Sequence, residues 1–141
     1  MAKKNLLVMT INSVDLGNFD APQGGEVCVD IECGEFNTRT SYKRENNRKV
    51  LINEKIVIDL DNDASKSVSF NVKMIPVNDL DQFSKDNVES EILGNAEVDY
   101  SAWNSVKKLS NITVFDGDNE TDIVINTEAY VVHEKPDQGR Y

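Results

Sequence analysis

The chain has 141 residues, 39% of them hydrophobic and 28% charged, and 25 acidic side chains outnumber 15 basic ones for a formal net charge of −10. One domain of this length buries about two-thirds of its unfolded surface, so no metal or disulfide staple is needed to make a core. The acidic balance excludes a nonspecific nucleic-acid binder, which needs a basic face to neutralise phosphates, and no nucleic acid is expected among the partners.

In chain order, the apolar run after Lys3-Lys4 stops at Asn12 and Asp15 without a small-residue cleavage site, and nothing approaches the roughly 18 apolar residues of a membrane helix. Strands are predicted at Leu6 to Val14, Glu26 to Glu32, Thr38 to Tyr42, Glu54 to Leu60, Ser67 to Met74, Ile92 to Tyr100, Asn111 to Phe115 and Asp122 to Val132. Ser67 to Met74 alternates most cleanly, with Val68, Phe70, Val72 and Met74 on one face. Turn chemistry separates the strands at residues 20–25, 61–63 and 116–119, and a helical turn is expected at Ser101 to Leu109. Eight short strands spaced in this way predict an all-β fold, an eight-stranded antiparallel β-sandwich, over residues 1–133. Residues 134–141 read as a polar tail or the start of a linker.

Cys28 and Cys33 lie five apart on one predicted strand and point to opposite faces, so they are not expected to pair; the spacing matches no zinc or redox motif and suits a reducing compartment. The only histidine is His133, which leaves a serine or cysteine nucleophile without an imidazole partner, and there is no phosphate-cradling glycine pattern. No enzyme is expected. Asp59-Leu-Asp-Asn-Asp63 and Asp116-Gly-Asp118 begin like calcium loops but lack Gly at the sixth position and Glu at the twelfth, and read as solvated turns.

Asp79-Leu-Asp81-Gln-Phe83-Ser84-Lys-Asp86-Asn87 differs, because it places three carboxylates within eight residues directly after the strongest strand. Calcium takes six to eight oxygens, and alternating aspartates on a loop aim several of them at one point. This pattern, Asp79-x-Asp81-x-x-Ser84-x-x-Asn87, resembles the third calcium loop of the C2 domain, the calcium- and phospholipid-binding sandwich of synaptotagmins, protein kinase C and phospholipase C. Leu7-Val-Met-Thr-Ile-Asn-Ser-Val-Asp-Leu16 is similar to that family's opening strand and corner, and Asp20 falls where its first-loop aspartate sits. Val50-Leu-Ile-Asn53-Glu54 and Gly94-Asn-Ala-Glu-Val98 resemble two further stretches, so the likeness covers residues 5 to 132. Glu26 stands where the family has its second first-loop aspartate, and Val27-Cys28 where it has Pro-Tyr.

The resemblance implies a calcium site of Asp20, Glu26, Asp79 and Asp81, completed by Asn87 in an ungapped count or Asp86 with a one-residue shift. It also implies a permuted topology like that of phospholipase C delta, in which Asp122 to Val132 supplies the strand beside the first. Loops 15–26, 42–53 and 77–88 would then share one end, opposite the acidic turn at Asp59 to Asp63. Two lipid contacts are expected there: a basic patch of Lys43, Arg44, Arg48 and Lys49 with Arg39 nearby, and Phe83 exposed at a loop tip. Between residues 39 and 49 those five basic side chains face a single acid, Glu45, a local reversal of the overall charge. The expectation is a cytoplasmic, non-catalytic, peripheral module targeted to an anionic phospholipid surface with calcium as cofactor. The alternative is a calcium-independent domain of the same fold that holds a protein partner on a sheet face or edge.

Overall fold

The strand from Ser67 to Ile75 carries the rule that builds the whole molecule. Val68, Phe70, Val72 and Met74 are fully buried while Ser69, Asn71 and Lys73 between them face outward, the two-residue period of a strand with one face on a core. In a computed structural model of the protein, which describes residues 4–19, 24–60, 67–75 and 91–134, the described residues form nine strands. They are β1 (Lys4–Asp15), β2 (Glu26–Cys33), β3 (Phe36–Arg39), β4 (Lys43–Arg44), β5 (Lys49–Asp59), β6 (Ser67–Ile75), β7 (Glu91–Asp99), β8 (Lys108–Asp116) and β9 (Asn119–Glu134).

Hydrogen bonding runs in the order β3-β2-β6-β7-β8-β9-β1-β5, with β4 paired to β2, and every paired neighbour is antiparallel. Between β7 and β8 a single residue pair, Asn95 with Phe115, holds the path together. That joint divides it into a first sheet, β3-β2-β6-β7, and a second, β8-β9-β1-β5. The two share one core of Leu7, Met9, Ile11, Val29, Ile31, Phe70, Ile112, Val114, Ile123 and Ile125, among others, which is the predicted sandwich. Gly94 makes the joint possible, since a Cβ there would lie 2.7 Å from the Phe115 carbonyl oxygen and from Val114 Cγ1.

Two corrections to the sequence reading have local causes. The strand expected to begin at Glu54 begins at Lys49, because Val50 and Ile52 also bury and the pairing with β1 continues, Ser13 with Leu51 and Val14 with Val50, past a bulge beside Asn53, whose φ is +54°. The expected helical turn at Ser101 to Leu109 shrinks to one turn of 3-10 helix at Tyr100–Ala102, capped by the Asp99 carboxylate accepting the Ser101 N–H at 2.9 Å. Trp103 leaves that turn with extended backbone and is buried against the core, and β8 starts five residues later. Cys28 and Cys33 are both buried, are not joined in a disulfide, and lie on opposite faces of β2.

Strand directions decide what lies at each end. Asp15 pairs with Lys49 and Glu26 with both Arg44 and Ile75, while Glu91 pairs with Met74, so the connections 16–25, 40–48 and 76–90 all leave from one end of the sandwich. Asp59, paired with Leu6, lies at the other end, as expected for the acidic turn it begins. β9, which contains Asp122 to Val132, lies between β8 and β1.

Candidate functional site

At the loop end, residues 40–48 bridge the two sheets. Asn46 and Lys49 exchange backbone hydrogen bonds at 2.9 and 3.1 Å across a two-residue turn, and Asn47 and Arg48 both have positive φ, +53° and +65°. Two positive angles define a type I′ turn, whose twist suits the hairpin it closes but which an arginine occupies only at some strain. Three interactions hold Arg48 there. Its N–H donates to Glu45 Oε2 at 2.6 Å, its Nε donates to the Gly17 carbonyl at 3.0 Å, and its Nη2 donates to the Phe19 carbonyl.

Glu45 is the counterpart of this clamp. Only 5% exposed, its carboxylate accepts the Gly24 N–H at 2.7 Å as well as that of Arg48, and its own N–H donates to the Gly25 carbonyl at 2.8 Å. An ionised acceptor satisfied by two backbone donors holds them more tightly than a neutral one would. The β1–β2 connection is thereby tied on both its sides to the turn before β5. Sequence reasoning missed both roles, because the partners lie 21 to 31 residues away and no local spacing marks them. The Asn46-Asn47 pair was the one signal of a positive-φ turn.

The expected basic patch divides accordingly. Lys43, Arg44 and Lys49 line one open basin with Asn46, Asn47, the 62% exposed Leu51 and Glu45, whose carboxylate is engaged by the Gly24 and Arg48 N–H groups. Arg44 reaches Glu26 Oε2 at 3.9 Å while its own side chain stays mostly exposed, so its charge remains available to solvent. Arg48 lines an adjoining hollow with Gly24, and its guanidinium is committed to the clamp rather than to the basin. Arg39 lies elsewhere, stacked over the Tyr42 ring at 5.0 Å on the outer face of the first sheet. There Tyr42 hydrogen-bonds Cys28, whose burial pushes the thiol above its ordinary pKa, and Lys73 is raised by its hydrogen bond to Asp30.

Of the expected calcium ligands, Glu26 stands at the loop end as β2 begins, beside Ile75. Asp20, Asp79, Asp81, Asp86 and Asn87 lie outside the described residues, as does Phe83. Among the described residues no three His, Cys, Asp or Glu side chains are grouped to hold a metal ion, and no helix is long and apolar enough to cross a membrane.

Neither a family model nor a curated protein sequence matches the chain. Solved structures do. The C2A domain of plant extended synaptotagmin 1 superposes with a TM-score of 0.74 at 12% identity, covering 96% of this chain and all of that one. The chain has the C2 fold. Extended synaptotagmin 2, in a calcium-bound structure of its C2A and C2B domains, aligns over 94% of this chain and 43% of its own at a TM-score of 0.61 and 13% identity. Human GIVD cytosolic phospholipase A2 aligns over 95% of this chain but only 17% of its own length, with a TM-score of 0.67 and 11% identity. Among the described residues, the loop end of this fold brings Lys43, Arg44 and Lys49 together.

Proposed function

We propose that this is a non-catalytic, peripheral membrane-targeting module whose loop end binds anionic phospholipid, in the cytoplasm, with calcium assisting. The observation that carries the reading is the basin of Lys43, Arg44 and Lys49 with Leu51 at its rim, on a protein whose net charge is −10. Cations beside an exposed apolar side chain suit a lipid interface, where phosphates meet the charges and Leu51 meets the acyl boundary. Each such cation contributes about 1 kcal/mol of attraction near an anionic surface.

Calcium fits by the chemistry of the donors. Asp20, Glu26, Asp79 and Asp81, with Asp86 or Asn87, offer the hard oxygens that the ion prefers. Bound there, it would link loop carboxylates to lipid phosphates. Arg44 beside Glu26 offsets part of the carboxylate charge when no ion is present.

The test is sedimentation with vesicles of phosphatidylcholine alone or mixed with phosphatidylserine, in calcium and in chelator. Binding confined to the anionic vesicles, stronger in calcium and weaker at high salt, supports the reading. Because ion binding stabilises the folded state, by about 2.7 kcal/mol at 100 times the dissociation constant, the melting temperature should also rise in calcium. Indifference to vesicle charge would remove the lipid role. An unchanged melting temperature would remove calcium and leave the protein-binding alternative.

A further inference from the structure

The outward face of the second sheet carries side chains that an exposed sheet face does not need. Across β5, β1 and β9, Val57, Val8 and Tyr130 stand directly opposite one another, and in the adjoining row Leu6 stands between Val132 and the exposed Asp59, which bounds the apolar set at the β5 corner. Val8 points away from the core, between the buried Leu7 and Met9, yet is only 7% exposed beneath its neighbours, whereas Val57 is 48% exposed. Leu6, Tyr130 and Val132 are half-buried, and Lys107 Nζ lies 5.9 Å from the centre of the Tyr130 ring, so the face is a small apolar strip with Val57 at its exposed edge, bordered by charge.

The next row up supplies charge. Thr10 has Lys55 opposite it on β5 and Glu128 opposite it on β9, so a cation and an anion flank β1 on its two sides at one height. Lys55 is exposed, and Glu128 keeps about a third of its side chain in solvent while it lies 3.7 Å from Lys107. A two-fold axis running along β1 exchanges the two sides. It sets Lys55 against Glu128 of the partner subunit, and Val57 against Tyr130 of the partner subunit, with Val8 meeting its own copy.

We propose that this face pairs two copies of the chain, sheet against sheet, through that self-complementary arrangement. Four strands about 4.8 Å apart and roughly 30 Å long make a face at the small end of the scale of the about 800 Å² that each partner contributes to a standard interface. A face of this size suits a reversible pair rather than a permanent one. An axis parallel to the strands also turns both loop ends the same way, so the dimer presents two basic basins to one surface and gains avidity. That consequence alone rests on the membrane reading; the pairing does not.

Sedimentation velocity of the chain without lipid, over a hundredfold concentration range at about 0.15 M salt, where the repulsion between two acidic copies is screened beyond about 8 Å, reads the proposal directly. The mass should rise toward two chains. Val57→Glu should raise the dissociation constant at least about tenfold, equivalent to about 1.4 kcal/mol, with little change in melting temperature. Lys55→Glu and Glu128→Lys should each weaken pairing, and the double exchange should restore it. A monomer at every concentration overturns the proposal and leaves the face to a different protein. Pairing indifferent to Val57→Glu, or not restored by the double exchange, places the contact elsewhere and overturns it too.

Discussion

The two sheets present opposite outer faces. On the first, Asp30 and Lys73 form an ion pair, Asn71 and Asn95 stand opposite each other, and Glu97 lies within hydrogen-bonding reach of Ser69. On the second, Leu6, Val8, Val57, Tyr130 and Val132 fill neighbouring positions, with Asp59, Lys55 and Glu128 at their border. Both faces hide residues that point away from the core: Cys28 beneath Tyr42 on the first, and on the second Val8 between Val57 and Tyr130 and Ser13 between Leu51 and Asn126. A polar face can rest in water, with its side chains satisfied by each other and by solvent. An apolar one loses part of the free energy that its strands could gain, until something covers it.

The largest effect expected is common to both sheets and sets the scale for their differences. Phe70→Ala empties the middle of the shared core and should cost about 3–5 kcal/mol by denaturant unfolding. Val8→Ala should cost less, about 1–2 kcal/mol, from two buried methylene equivalents. Its cost should be larger at high protein concentration, when the face is covered. A cost near that of Phe70→Ala would mean that Val8 belongs to the core, and the contrast between faces would fail.

The first sheet's face should respond to pH instead. Lys73 and Cys28 both have raised values in the folded state. A group raised by folding contributes fully below its unfolded value, and that contribution is lost as the pH climbs through the folded one. Stability should accordingly fall in the alkaline range above the ordinary thiol value, measured by melting at successive pH, and Cys28 should react slowly with thiol reagents at pH 8. Lys73→Met should flatten the upper part of that decline while changing stability at pH 7 by only about 0–1 kcal/mol. A profile unchanged in Lys73→Met would show that the Asp30 pair contributes nothing.

The same contrast explains what could be read from the sequence. β6 was legible because its apolar residues fall on one parity, and β2 because Val27, Val29, Ile31 and Cys33 do the same. β1 reads as apolar on both parities from Leu6 to Met9, which announces a buried strand without saying that one of its faces points outward. Its core set also changes parity, from Leu7, Met9 and Ile11 to Val14 and Leu16, across the bulge between Ile11 and Ser13. At the loop end, the reversal of charge between residues 39 and 49 was visible, but its division into three basin cations, one clamp and one stacked arginine was not. That division depends on partners as far away as Gly17, Phe19 and Gly24. β4, two residues long, exists only because Lys43 and Arg44 meet the start of β2, and no local pattern marks it.

The account's central claim is that the loop end, and not the protein's charge at large, meets the anionic surface. Two double variants remove the same charge from two places: Lys43→Ala with Arg44→Ala in the basin, and Arg39→Ala with Lys108→Ala outside it. All four side chains are surface groups, so both variants should unfold within about 0.5 kcal/mol of the parent. Affinity for phosphatidylserine-containing vesicles at low salt should fall for the basin variant by about 2 kcal/mol, and stay near the parent value for the other. Equal losses in the two variants, or none in either, would contradict the claim.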